Sequence, residues 1–226
     1  MIITENLKYI NSQLPVGVKL VAVSKTKSHD EIMEAYQAGQ RRFGENKVQE
    51  LSSKWQVLPK DIEWHFIGHL QTNKVKQLVS YVSVIHSVDS LKLLSVISKE
   101  AELADKIITV LLEFHIASEE SKFGLSLNGA IEILASPETR RMKNVRIGGV
   151  MGMATFTENE EIIKSEFEQL RSYFQQLKAM FFADDDLFCE ISMGMSDDYP
   201  IAVSAGSTIV RIGSKIFGTR SYGNVQ

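Results

Sequence analysis

Short apolar runs alternate with stretches of helical periodicity along nearly the whole chain. The runs at 19–25 (KLVAVSK), 41–44, 63–68, 84–88, 108–116, 145–155, 187–194 and 208–218 read as β-strands. Between them, 29–39, 46–55, 71–82, 90–105, 160–181 and 198–206 carry helical spacing, and 128–142 does so until Pro137. In 90–105, Leu91, Leu94, Ile97, Ala101 and Leu103 lie near one helix face. Gly39 is a plausible C-cap for the helix before it. The opening MIITENLKYINSQL is amphipathic and is expected to add an N-terminal helix.

Continuous apolar strands separated by helices argue for a parallel sheet buried on both faces. About eight such units within 226 residues favour one closed (β/α)8 TIM-type barrel, an α/β domain spanning 1–226. The alternative is an open doubly wound sheet. That fold wants a glycine-rich fingerprint after strand 1, and VAVSKTKS has none.

Composition narrows the function classes. Hydrophobic residues at 44% allow a sizeable core, and 23% charged residues are ordinary for a globular chain. The formal net charge of −3 argues against a nucleic-acid partner, and the cluster Arg140, Arg141, Lys143, Arg146 reads as a solvated loop before a strand. The single cysteine, Cys189 in LFCEISMG, excludes an internal disulfide and reads as a small buried hydrophobe. The N-terminus lacks a signal-peptide block, and no run approaches the roughly 18 apolar residues of a membrane span. A cytoplasmic protein with no membrane partner is expected.

In such a barrel, chemistry sits at the C-terminal ends of the strands. Lys25 closes strand 1. A lysine ending an apolar strand can be desolvated, which lowers its pKa and frees the amine as a nucleophile toward aldehydes. It can equally be a solvated loop lysine with Lys27 as its twin. Strand parity is locally open, because Val21, Val23 and Lys25 share one face while Ala22 and Ser24 also suit a buried one. Arg211, inside TIVRIG, is costly to bury unless paired. Its partner is either a neighbouring-strand acid such as Glu190 or a ligand acceptor. Ser196, a natural N-cap for 198–206, and Gly213 with Ser214 lie where barrels often bind phosphate. Met151–Gly152–Met153 and Met193–Gly194–Met195 leave room for a flat ring, although core filling suits most of these methionines. His65 and His69 share no helix face, and His29, His86 and His115 are scattered, so no metal is expected.

The strings VAVSKTK, FGENKVQE, WHFIGHLQTNK, the SKFG turn at 121–124, GGVMGMATF, SMGMSDD and GSTIVRIGSKIFGTR run from residue 21 to 220. Together they resemble the pyridoxal phosphate homeostasis protein family, whose barrel is similar to the alanine racemase N-terminal domain. The resemblance implies pyridoxal 5′-phosphate (PLP) as cofactor, with Lys25 as the Schiff-base lysine and Arg211 at the pyridine nitrogen. It places Ser196, Gly213 and Ser214 at the phosphate and Asn46 near the cofactor, with Ser207 and Thr208 close by. Lys47 stands where the family usually has Tyr and is expected to face outward. Lys122 matches a family lysine after strand 5 and is read as solvated. A carrier is therefore expected: a monomer that holds PLP, takes part in vitamin B6 homeostasis and hands PLP to dependent apoenzymes. The alternative is a small amino-acid racemase. Racemisation needs an acid or base on each face of the ring. Beyond Lys25 only Tyr222 offers itself, and the chain stops soon after strand 8, so no catalytic residue is assigned.

Overall fold

The structure, a computed structural model, describes residues 2–118 and 123–218. Eight parallel strands close in sequence order into one barrel. They are β1 (Lys19–Val23), β2 (Arg42–Glu45), β3 (Glu63–Phe66), β4 (Val82–Val88), β5 (Ile108–Phe114), β6 (Val145–Gly152), β7 (Glu190–Ser192) and β8 (Ile209–Ile212). β8 returns to β1 in register from Lys19 against Ile209 to Ala22 against Ile212. This is the expected TIM-type fold, and helix α1 (Ile2–Gln13) precedes it.

Around the sheet run α2 (His29–Gln37), α3 (Val48–Val57), a 3-10 helix (Thr72–Gln77), α4 (Leu91–Leu103), α5 (Leu127–Ala135), α6 (Pro137–Arg141), α7 (Glu160–Phe181), α8 (Tyr199–Ser204) and α9 (Ser214–Phe217). Several helices start where side chains satisfy their open amides. Ser28 and Glu31 form a reciprocal capping box at α2, Ser90 caps α4, and Asn159 accepts two amides at α7. The long α7 buries Ile163, Phe167, Leu170 and Leu177. Each such side chain contributes roughly 1.5–3 kcal/mol by leaving water.

Alternation divides the strand residues between two cores. Ala22, Phe43, Trp64, Ile85, Val110, Val150 and Val210 point outward under the helices. Val21, Leu111, Met151 and Ile209 fill the barrel interior. This settles the parity of strand 1: Val21 and Lys25 share the inner face, and Ala22 and Ser24 the outer one. The interior ends at the N-terminal side in a charged floor. There Lys19 pairs with Glu190, and Arg42 Nε lies 3.1 Å from Glu63 Oε2.

Four local expectations change. The 71–82 segment holds only a six-residue 3-10 helix, Thr72–Gln77, which buries Val75 and passes into a turn with buried Leu78 and Val79. Pro137 ends α5 but also opens α6, since a missing amide and a fixed φ suit a first helical position. The last strand stops at Ile212, and Gly213 leads into α9. The strand in 187–194 shrinks to three residues, so Cys189 lies before it and is exposed rather than buried. Among the described residues no helix is long and apolar enough to cross a membrane.

Candidate functional site

The loops after the strands enclose a cavity of about 580 Å³ at the C-terminal rim. Lys25, Asn46, Ser196, Arg211, Gly213 and Ser214 all line it. These residues come from the ends of β1, β2, β7 and β8, so closure of the barrel is what gathers them.

The turn that carries Lys25 is latched from behind. Ser24 N–H donates to Gly44 O at 3.0 Å, and Lys54 Nζ on α3 donates to Ser24 O at 2.7 Å. Thr26 adopts a left-handed backbone (φ 67°), and its N–H donates to Glu50 Oε1 at 2.5 Å. Lys54 also reaches Glu45 Oε1 and Glu50 Oε1, each at 2.7 Å, while Ser24 Oγ donates to Glu45 at 2.6 Å. Burial pushes the Glu45 carboxyl above its ordinary range, and the Lys54 charge pulls it back. Lys27 borders the same cavity, but its ammonium is held by Phe217 O at 3.0 Å and Glu31 Oε1 at 3.2 Å.

Arg211 is buried. Its Nη1 donates to Ser192 Oγ at 2.6 Å and its Nη2 to Gly152 O at 3.0 Å. Burial pushes its pKa down to about 10, against the pull of Asp198 and Glu113, so it stays cationic at neutral pH. Glu190 is not its partner. That carboxylate sits on the barrel floor, with Lys19 and the Thr208 hydroxyl.

Gly213 N–H donates to Ser196 Oγ at 3.3 Å, which joins the loops after β7 and β8. A methyl at Gly213 would stand 3.1 Å from Val23 O and 3.3 Å from Val23 Cβ, so the close approach favours glycine. No side chain caps α9. Ser196 does not cap α8 either. Asp198 takes the N-cap position, and its Oδ1 accepts from Met195 N at 2.5 Å. Asn46 is seated by contact with the next loop. A Cβ on Gly68 would fall 2.4 Å from Asn46 O.

Ser207 and Thr208 do not line the cavity. Both precede β8, at the opposite end of the barrel. The Ser207 hydroxyl donates to Met193 O, and that of Thr208 to Glu190. Met153 and Met195 border the cavity, whereas Met151 fills the barrel interior and Met193 the outer core. Lys47 is exposed, as expected. Lys122, Tyr222 and part of the SKFG turn lie outside the described residues. Among the described residues no group of three or more His, Cys, Asp or Glu is poised to hold a metal.

Sequence reasoning missed Glu113 on β5. It is buried and borders the cavity, and its Oε2 has no hydrogen-bond partner. Burial raises its pKa to about 7; the Asp89 charge adds to this and Arg211 opposes it. The signal was present, since an acid inside ITVLLEF is as conspicuous as the arginine inside TIVRIG. As a whole, the cavity offers a primary amine, a fixed cationic donor, and a hydroxyl and glycine cradle. That set suits a flat aldehyde carrying an acceptor atom and an oxyanion.

The comparisons with known proteins agree with this chemistry. The family model for the alanine racemase N-terminal domain matches residues 2–221. The pyridoxal phosphate homeostasis protein of Aquifex aeolicus is 38% identical over 205 residues, 90% of this chain and 88% of its own. That of Vibrio alginolyticus is 37% identical over 235 residues, 97% and 98% of the two chains. The structure of PipY from Synechococcus elongatus with PLP bound superposes with a TM-score of 0.85 at 35% identity, covering 96% of this chain and 100% of that one.

Proposed function

Because the chain belongs to the pyridoxal phosphate homeostasis proteins, within the alanine racemase N-terminal domain family, we propose that it holds PLP in the cavity at the barrel rim. In this reading it takes part in cytoplasmic vitamin B6 homeostasis as a monomer, turns no substrate over, and supplies PLP-dependent apoenzymes. The observation that carries the reading is the convergence of Lys25, Asn46, Ser196, Arg211, Gly213 and Ser214 on one cavity.

When bound, PLP supplies an electrophilic aldehyde and a conjugated ring. Lys25 would supply the amine for the aldehyde, on a turn held by the latch from Lys54 and Glu50. Arg211, which carries donors only, would meet the ring nitrogen, keep it unprotonated and leave the ring a weak electron sink. Ser196, Gly213 and Ser214 would hold the phosphate through the hydroxyl and amide groups of two loops. Asn46 closes the side of the cavity next to Lys25.

Borohydride reduction of the PLP-loaded protein, followed by peptide mapping, tests this directly. The pyridoxyl group is expected on Lys25. A label on Lys27 would overturn the assignment.

A further inference from the structure

The barrel interior holds two histidines that the cavity does not use. His65 on β3 and His86 on β4 are both fully enclosed and bonded to each other, Nδ1 of the first to Nε2 of the second at 2.8 Å. His65 Nε2 lies 3.2 Å from Glu63 Oε1 on the floor, and His86 Nδ1 lies 2.9 Å from Ser192 Oγ. Ser192 is also the group that receives Arg211 Nη1. One unbroken line of hydrogen bonds therefore climbs the barrel axis from its floor to the cavity.

We infer that Glu63, His65, His86 and Ser192 form a one-directional hydrogen-bond chain that positions Arg211, with both imidazoles neutral and protonated on Nε2. The direction follows from donor counting. A guanidinium has only protons to give, so Ser192 Oγ accepts from it. The one Ser192 proton then points to His86 Nδ1, which must be bare. The His86 proton lies on Nε2 and meets a bare His65 Nδ1. The His65 proton, also on Nε2, ends on the Glu63 carboxylate. The opposite polarity needs a protonated Glu63 beside Arg42, and it leaves the Ser192 proton without an acceptor.

The surroundings agree. Burial holds both imidazoles below the ordinary histidine range, His86 well below it. The charged groups facing the chain are Glu63, Arg42 and Lys19 from the floor and Arg211 from the cavity. With Nη1 bound to Ser192 and Nη2 to Gly152 O, the guanidinium is fixed at two points beside the cavity it lines. The consequence for a bound ring rests on the PLP reading above, whereas the chain itself does not.

Two measurements separate these claims. The first is two-bond ¹H–¹⁵N spectroscopy of the histidine-labelled protein without ligand, assigned with single substitutions. His65 and His86 should each show a bare Nδ1 and a protonated Nε2 from pH 6 to 8. An Nδ1–H form of either ring, or its titration in that range, overturns the chain. The second uses PLP labelled with ¹⁵N at the pyridine nitrogen. Ser192→Ala should weaken PLP binding roughly tenfold or more, the scale of a lost hydrogen bond to a charged group. It should also shift the ring-nitrogen resonance, and Ser192→Thr should restore both. His86→Asn, which keeps an acceptor near Nδ1, should resemble the parent more than His86→Leu does. An unmoved ring-nitrogen resonance in Ser192→Ala overturns the positioning role. A parent protein that takes up no PLP overturns the function instead, and the imidazole spectra still decide the chain.

Discussion

Glu113 carries the most exposed consequence at the residue scale. Its carboxyl titrates near 7 in the barrel, against an ordinary 4.5. Between those values the folded protein keeps a proton that the unfolded chain has released. Stability therefore falls as pH rises from about 4.5 to about 7, and this contribution is level above that. Glu113→Gln should remove the slope and gain on the order of 2 kcal/mol over the parent at pH 8 relative to pH 5. Urea unfolding at the two pH values checks it, and an unchanged slope would refute it.

Arg211 was legible in the sequence because it interrupts an apolar strand, and Lys25 because it ends one, although only the family resemblance chose it over Lys27. His65, His86 and Glu113 send the same kind of signal, yet which strands meet across a closed barrel is a three-dimensional fact. No local pattern joins residue 86 to residue 192, although they share a 2.9 Å hydrogen bond. Ser207 and Thr208 were misplaced for a simpler reason. They precede their strand, and position before a strand puts a residue on the floor.

At the element scale, α3 matters less as packing than as a latch. Its Lys54 is buried against Glu45, whose carboxyl is fully enclosed, and it also grips the backbone of Ser24. Removing one partner of such a pair leaves the other charge buried and uncompensated. Lys54→Met is expected to destabilise the protein by about 3 kcal/mol and to lower PLP uptake, because the Lys25 turn loses its anchor. Adding Glu45→Leu should recover much of the stability but not the uptake. Thermal melts together with a PLP titration measure both. Apolar runs marked most of the strands, since a parallel strand buried on both faces has no polar alternation to hide it, whereas β2 is short and carries Arg42 and Glu45. They overran the strand ends at 187–194 and 208–218, because hydrophobicity reports burial and not pairing. Apolar residues that pack beyond the last ladder bond look the same in sequence.

For the whole molecule, the fold alone does not decide the activity. The alanine racemase of E. faecalis shares this fold, with a TM-score of 0.69, but at 19% identity, and this chain covers 59% of it. The homeostasis proteins of A. aeolicus and V. alginolyticus match across nearly their full length. The purified chain loaded with PLP is thus expected not to interconvert the alanine enantiomers above a PLP-only control. Chiral chromatography of the products checks it, and robust turnover would favour the racemase reading.

The closed sheet has one further consequence, for how this protein can meet others. Every strand of the barrel is hydrogen-bonded on both sides, so among the described residues the sheet has no edge for another polypeptide to extend. On the carrier reading proposed above, a recipient enzyme would not add a strand but would dock on helix faces or on the rim loops, the same loops that build the cavity. A protein docked on those loops would sit directly over the mouth of the cavity.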